Sequence, residues 1–122
     1  MRRRGPLTTG THPAWSDRRS STLRRMSAFI VYQAEVHDPE QYERYKAKAG
    51  PALEAAGARY LVRGGDIEVL EGEAPAGRTV IIEFPSKEAA VEFFHSPEYT
   101  AIRALRADAA DARMYVVDGY DG

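Results

Sequence analysis

Apolar residues in this chain fall into short runs that switch between two periods. Residues 28–36 (AFIVYQAEV) are β-branched and aromatic, and too short for a helix, so they predict a strand. Asp38-Pro39 then opens a helix: aspartate suits the N-cap, proline the first helical position, and Gln41 the place of a capping-box partner. Tyr42, Tyr45, Ala49, Leu53 and Ala56 recur every three or four residues as one apolar stripe, and Gly57 supplies a stop. Gly50-Pro51 interrupts that stripe and predicts a kink or break, because proline removes a backbone donor. Residues 59–63 predict a second strand. Gly64-Gly65-Asp66 predicts a tight hairpin with residues 67–70 as its return arm. A loop follows over residues 72–77, and residues 78–84 (RTVIIEF) form the strongest strand pattern. Ser86 caps a short helix that turns Ala89, Ala90, Phe93 and Phe94 inward. Ser96-Pro97-Glu98 opens another, predicted over 97–110 with Tyr99, Ile102, Leu105 and Ala109 as its stripe. Residues 113–118 predict the last strand.

This order, β-α-β-(β)-β-α-β, is that of a split βαβ, ferredoxin-like α+β domain, with both helical layers on one face of an antiparallel sheet. The other face should then be polar. It is not: Phe29 and Val31 alternate with Ile30 and Tyr32, Val80 and Ile82 with Ile81, and Met114 and Val116 with Tyr115 and Val117. An apolar face needs a cover. A second copy of the same face about a two-fold axis is the economical one, which predicts a homodimer.

Composition narrows the classes. The chain is 43% hydrophobic and 29% charged, typical of a globular protein, and its 122 residues suit one domain. With no cysteine, disulfides and thiolate metal sites are excluded, which fits a reducing, cytoplasmic compartment. No apolar run approaches the roughly 20 residues of a membrane helix, so no membrane partner is expected. The charge is unevenly spread. Residues 1–25 carry seven arginines and one acid, a net of +6, whereas residues 26–122 carry 10 Lys/Arg and 17 Asp/Glu, a net of −7. The acidic body argues against nucleic acid. Residues 1–25 show no periodicity, and glycine and proline punctuate them, so they read as a disordered basic extension. A secretory signal lacks its apolar core there, and a transit peptide lacks its amphipathic stripe. The expectation is that translation starts at Met26, where the domain pattern begins.

Candidate chemistry is sparse. His37 adjoins Asp38, and Glu92-x-x-His95 occurs once without a second copy, so no metal site and no cofactor is expected. There is no phosphate-binding glycine loop and no nucleophile elbow. What remains is polar groups set into apolar elements. Glu83 lies inside the strongest strand, where a carboxylate costs free energy unless paired or wet. Arg63 ends the second strand, Tyr42 and Tyr45 carry hydroxyls on an inward stripe, and Tyr99 and Arg103 lie one turn apart. Read functionally, these line a cleft between helices and sheet. Glu83 or Tyr42 handles a proton, while Arg63, Tyr45, Tyr99 and Arg103 hold a small, anionic organic molecule. Read structurally, Glu83 forms an ion pair with an arginine and the tyrosines are core edges. The alternative function is a non-catalytic dimeric binding module.

From Met26 onward the chain resembles the domain-of-unknown-function 1330 (DUF1330) family. The resemblance is carried by Asp38-Pro39 with Tyr42 and Tyr45, Tyr60-Leu61-Val62-Arg63-Gly64-Gly65, Glu71-Gly72, Arg78, Glu83-Phe84-Pro85-Ser86, Ser96-Pro97-Glu98-Tyr99 and Arg103. It implies a dimeric α+β barrel, in which two ferredoxin-like sheets face each other with the helices outside. Ala58 departs from a second glycine common after Gly57, and Phe93 stands where a larger aromatic is common. Related barrels include cofactor-independent monooxygenases, lactone isomerases and haem enzymes, and a shared fold does not carry any of these activities across.

Overall fold

A computed structural model describes residues 27–120, so the readings made for residues 1–25 lie outside the described residues. Seven elements follow in order: β1 (Ala28–Val36), α1 (Pro39–Ala55), β2 (Arg59–Arg63), β3 (Arg78–Phe84), α2 (Lys87–His95), α3 (Pro97–Ala104) and β4 (Ala110–Asp118). The strands form one sheet in the order β2-β3-β1-β4, every neighbouring pair antiparallel. This is the split βαβ arrangement that the element order predicts.

All three helices cover one face. Ala28, Ile30, Tyr32 and Ala34 alternate as the buried positions of β1. They meet Val80, Ile82 and Phe84 of β3, with Tyr42, Tyr45, Ala49, Leu53, Tyr99 and Ile102 above them. Burying a side chain of this size contributes about 1.5–3 kcal/mol, so this layer dominates the favourable terms of the fold.

The caps behave as their residue types dictate. The Asp38 carboxylate accepts from the Gln41 amide at 3.2 Å, and Ser86 Oγ from the Ala89 amide at 3.0 Å. Gln41 does not complete a capping box. Its side-chain amide donates to the Leu105 carbonyl at 2.9 Å, tying α1 to the turn after α3. Nor does Pro51 break α1, which runs unbroken to Ala55. Proline deletes one hydrogen bond, but Ala52 and Leu53 directly after it are core residues that hold the last turn in place. Gly57, at φ 84°, reverses the chain, and the Ala58 amide closes the helix end on the Leu53 carbonyl at 3.0 Å.

Two expected elements change. Residues 67–70 form no strand: Ile67, Val69 and Leu70 are exposed in a loop that joins β2 to β3. Gly64 takes a left-handed φ of 75°, but its amide donates to Thr79 O at 2.9 Å. The hairpin partner of β2 is therefore β3, whose long apolar strand offers more pairing than the short local arm. The last helix also ends early, at Ala104 rather than near residue 110, and β4 begins at Ala110 instead of residue 113. Here the Ala109 carbonyl receives both the His37 and Asp38 amides, at 2.7 and 3.1 Å. Ala110 pairs with Val36, extending the β1–β4 ladder to its full length. Long-range pairing overrides the helical propensity of an alanine-rich segment.

The second face of the sheet is apolar as the sequence requires. Phe29, Val31 and Ile81 lie across neighbouring strands at its centre, flanked by Tyr115 and Val117, which are 50% and 47% exposed.

Candidate functional site

Between the helices and the sheet lies a cavity of about 30 Å³ whose wall includes Tyr32, Tyr42, Tyr45, Tyr60 and Tyr99. That volume holds a water molecule or two, so an organic ligand must displace side chains to enter. The cavity shares part of its wall with the surface. Lys46, Leu53, Tyr60 and Arg63 belong to the cavity wall and also to a surface groove of about 410 Å³ between α1 and β2.

Four hydroxyls meet in two pairs. Tyr32 Oη and Tyr42 Oη are 2.9 Å apart, joining β1 to α1. Tyr45 Oη and Tyr99 Oη are 2.6 Å apart, joining α1 to α3. The rings pack as well, with Tyr42 and Tyr45 centroids 5.4 Å apart and Phe93 4.7 Å from Tyr99. Arg106, from the turn after α3, lies beneath this cluster. Its guanidinium carbon is 5.1 Å from the ring centres of both Tyr32 and Tyr45, and the residue is only 8% exposed.

Burial raises the pKa of Tyr45 far above the usual phenol range, with its neighbour Tyr99 adding to the effect. Burial and the hydrogen bond to Tyr42 do the same for Tyr32. Tyr60 is raised by burial, against the opposing charge of Arg63. These hydroxyls are therefore neutral at physiological pH and act as hydrogen-bond donors and acceptors, not as bases. The wall also carries Lys46, Arg63 and Arg78, and among the described residues it carries no carboxylate or histidine.

A backbone irregularity delivers Arg63 to this wall. Tyr60 pairs with Ile82 and Arg63 with Val80, while Val62 pairs with Ile81, so the register shifts at Leu61. The extra residue puts Tyr60 and Arg63 on the same face, with Arg63 4.5 Å above the Tyr60 ring. Strict alternation would have sent them to opposite faces.

Of the six residues singled out in the sequence, Tyr42, Tyr45, Tyr99 and Arg63 come together on this wall. Glu83 does not. It lies on the far face of the sheet, in register with Phe29, and Arg59 Nε donates to its Oε1 at 2.8 Å. The structural reading of Glu83, an ion pair with an arginine, is the one the geometry gives. Arg103 also lies off the wall, stacked 4.3 Å over Phe94. Sequence reasoning passed over Tyr32, Tyr60, Arg78 and Arg106. Tyr32 was accessible by counting from Ile30 along β1, and Arg78 by counting back from Val80. Arg106 was accessible too, standing four residues after Ile102 and seven after Tyr99 on the stripe of the predicted helix.

The remaining titratable pairs are peripheral. His37 Nε2 lies 2.9 Å from Asp111 Oδ2, joining the ends of β1 and β4, and Lys87 Nζ lies 3.1 Å from Asp118. Among the described residues, no three His, Asp or Glu side chains gather as metal ligands. No helix among them is long and apolar enough to cross a membrane.

Fold and site together define a ferredoxin-like α+β protein with an aromatic, hydroxyl-rich cavity between its helices and its sheet. Residues 27–120 match the family described as "Domain of unknown function (DUF1330)", and the chain belongs to that family. Among solved structures, a protein of unknown function from Rhodopseudomonas palustris is similar at 23% identity and a TM-score of 0.63, covering 92% of this chain and 95% of that one. A hypothetical Arabidopsis thaliana protein is similar at 16% identity and TM-score 0.56, covering 76% and 88%. SnoaB, a cofactor-independent oxygenase from Streptomyces nogalater, is similar at 10% identity and TM-score 0.51, covering 77% and 93%. These likenesses establish the fold alone. No curated protein matches the chain.

Proposed function

We propose that this protein is a cytoplasmic homodimer, and that each copy binds a small organic molecule in the cavity between helices and sheet. The observation that carries the reading is the gathering of four tyrosine hydroxyls, in two hydrogen-bonded pairs, on the wall of a cavity inside the core. The cavity that these hydroxyls line shares Lys46 and Arg63 with the surface groove between α1 and β2. Tyr42 is the group placed to give a hydrogen bond to a ligand, since Tyr32 can act as its acceptor or its donor.

Binding is favoured over turnover because, among the described residues, the wall holds no carboxylate or histidine to serve as a base. No cofactor is invoked, and nucleic acid is disfavoured by the acidic body.

A metabolite screen by thermal shift tests the reading, since a ligand that binds only the folded state raises Tm by mass action. At least one small organic molecule should raise Tm, and both Tyr42→Phe and Arg63→Ala should weaken that effect about tenfold, on the order of 1.4 kcal/mol. A hit whose effect survives both substitutions would place its site elsewhere. Product analysis on each hit then separates enzyme from binder.

A further inference from the structure

We propose that the ligand of this cavity is an amphipathic carboxylate. Its anionic head meets the arginine side of the cavity, and its apolar body runs across the sheet toward β4. The proposal deepens the small-molecule reading and rests on it.

The first argument is charge. Lys46 is satisfied by Glu43, 2.9 Å away on the surface of α1. Arg63 and Arg78 are different. Among the described residues neither forms an ion pair, and their guanidinium groups stack on the rings of Tyr60 and Tyr42, at 4.5 and 5.9 Å. The Nε of Arg78, on the cavity wall, is buried without an acceptor, as are those of Arg103 and Arg106, which lie off it. Arg106, 8% exposed, lies behind the cavity wall, against the Tyr32 and Tyr45 rings and with a side-chain hydrogen bond to Tyr99. A buried cation without a counter-ion costs free energy, and a donor left without an acceptor adds to that cost. An anion entering the cavity would meet Arg78 and Arg63, which line it. The protonated tyrosine hydroxyls are donors suited to the same anion.

The second argument is the shape of what lies beyond. A further cavity of about 160 Å³ separates α2 from β4 and shares Ile30, Phe94 and Met114 with the first. Its other walls include Ala90, Val91 and Val116, and among its lining only His95 carries a titratable side chain besides the Tyr115 phenol. The shared partition contains Met114, whose unbranched thioether can swing aside at small cost. The polarity across the sheet is one-directional. Arg63 and Arg78 come from β2 and β3, while the apolar extension lies at the opposite edge, on β4. A small inorganic anion would leave the apolar half empty. A neutral apolar molecule would leave the guanidinium groups unmet.

Calorimetry and thermal shift on the full chain provide the test, with hexanoate, octanoate and decanoate, the matching primary alcohols, and inorganic phosphate as probes. Decanoate should bind and raise Tm, with decanol and phosphate at least about tenfold weaker. Arg78→Gln and the more exposed Arg63→Gln should each weaken decanoate about tenfold while leaving decanol unchanged. Val91→Trp, which fills the α2–β4 cavity, should weaken decanoate and spare hexanoate. If decanol equals decanoate, and Val91→Trp weakens both, the cavity reading stands and the anionic head is wrong. If other hits raise Tm in a manner sensitive to Tyr42→Phe while no carboxylate does, the ligand class is overturned and the cavity reading survives. If neither the series nor any other molecule responds to these substitutions, both fall.

Discussion

Tyr45 and Tyr32 show how a single side chain reports on the whole core. Each is a phenol whose ionisation burial opposes, so its pKa stands above the unfolded value of 10.0. The sign of the resulting pH dependence follows from linkage. Below about pH 10 both states keep the proton, and the fold has its full stability. Above it the unfolded chain releases these protons while the folded chain holds them, so stability falls as pH rises. Urea titrations should therefore show a lower midpoint at about pH 11 than at about pH 8, and Tyr45→Phe should flatten the difference. An unchanged slope in Tyr45→Phe would show that Tyr45 ionises freely in the folded state. Tyr45 was legible in the sequence as an inward-facing hydroxyl. Its partner was not, because Tyr99 lies 54 residues away and only the packing of α1 on α3 brings the two oxygens together. Gly77 makes the same point for the backbone. It has φ 73°, and an added Cβ would fall 1.9 Å from the Ala34 carbonyl oxygen, so β3 can start beside β1 only with glycine there.

At the scale of elements, the capping residues Asp38, Ser86 and Ser96 act as their types dictate, whereas Gln41 and Pro51 do not do what local grammar predicts. Ser96 is the best example of a cap. Its Oγ accepts from the Tyr99 amide at 3.2 Å and donates to the Phe93 carbonyl at 2.7 Å, so it ends α2 and starts α3 in one residue. Ser96→Ala should cost about 1–2 kcal/mol in urea unfolding, with a two-state transition retained. A loss below about 0.3 kcal/mol would mean that helix packing alone sets this corner. Local grammar failed where two elements competed for one backbone. The return arm at residues 67–70 lost its partner to β3, and the end of α3 was taken over by β4. Arg63 reaches the cavity through the register shift at Leu61, which no residue-type signal marks. Glu83 was assigned to the wrong side of the sheet for a simpler reason. On RTVIIEF both faces are apolar, so alternation could not say which one looks toward the helices.

For the whole molecule, the two faces of the sheet set different tasks. One is covered by α1, α2 and α3 and encloses the cavity. The other presents Phe29, Val31, Ile81, Tyr115 and Val117, with the Arg59–Glu83 ion pair on β2 and β3. A hydrophobic sheet face of this kind is stable in water only when covered, and a second copy supplies a complementary surface by symmetry. Light scattering after size exclusion should give the mass of a dimer at micromolar concentration. Val117→Lys, placed at the exposed part of this face, should shift it toward monomer. A monomeric wild type would remove the dimer from the proposal while leaving the cavity untouched.

The sequence by itself determined the four sheet strands and the helices in outline, the split βαβ order, the serine caps and the two-faced sheet, because each depends on residues close together along the chain or on a simple period. The tertiary structure alone decided which hydroxyls meet, that Arg106 lies buried beneath them, and which strand pairs with β2. It also decided that Glu83 turns away from the cavity. These depend on register and on contacts across tens of residues, where a shift of one position exchanges the inside of a sheet for the outside.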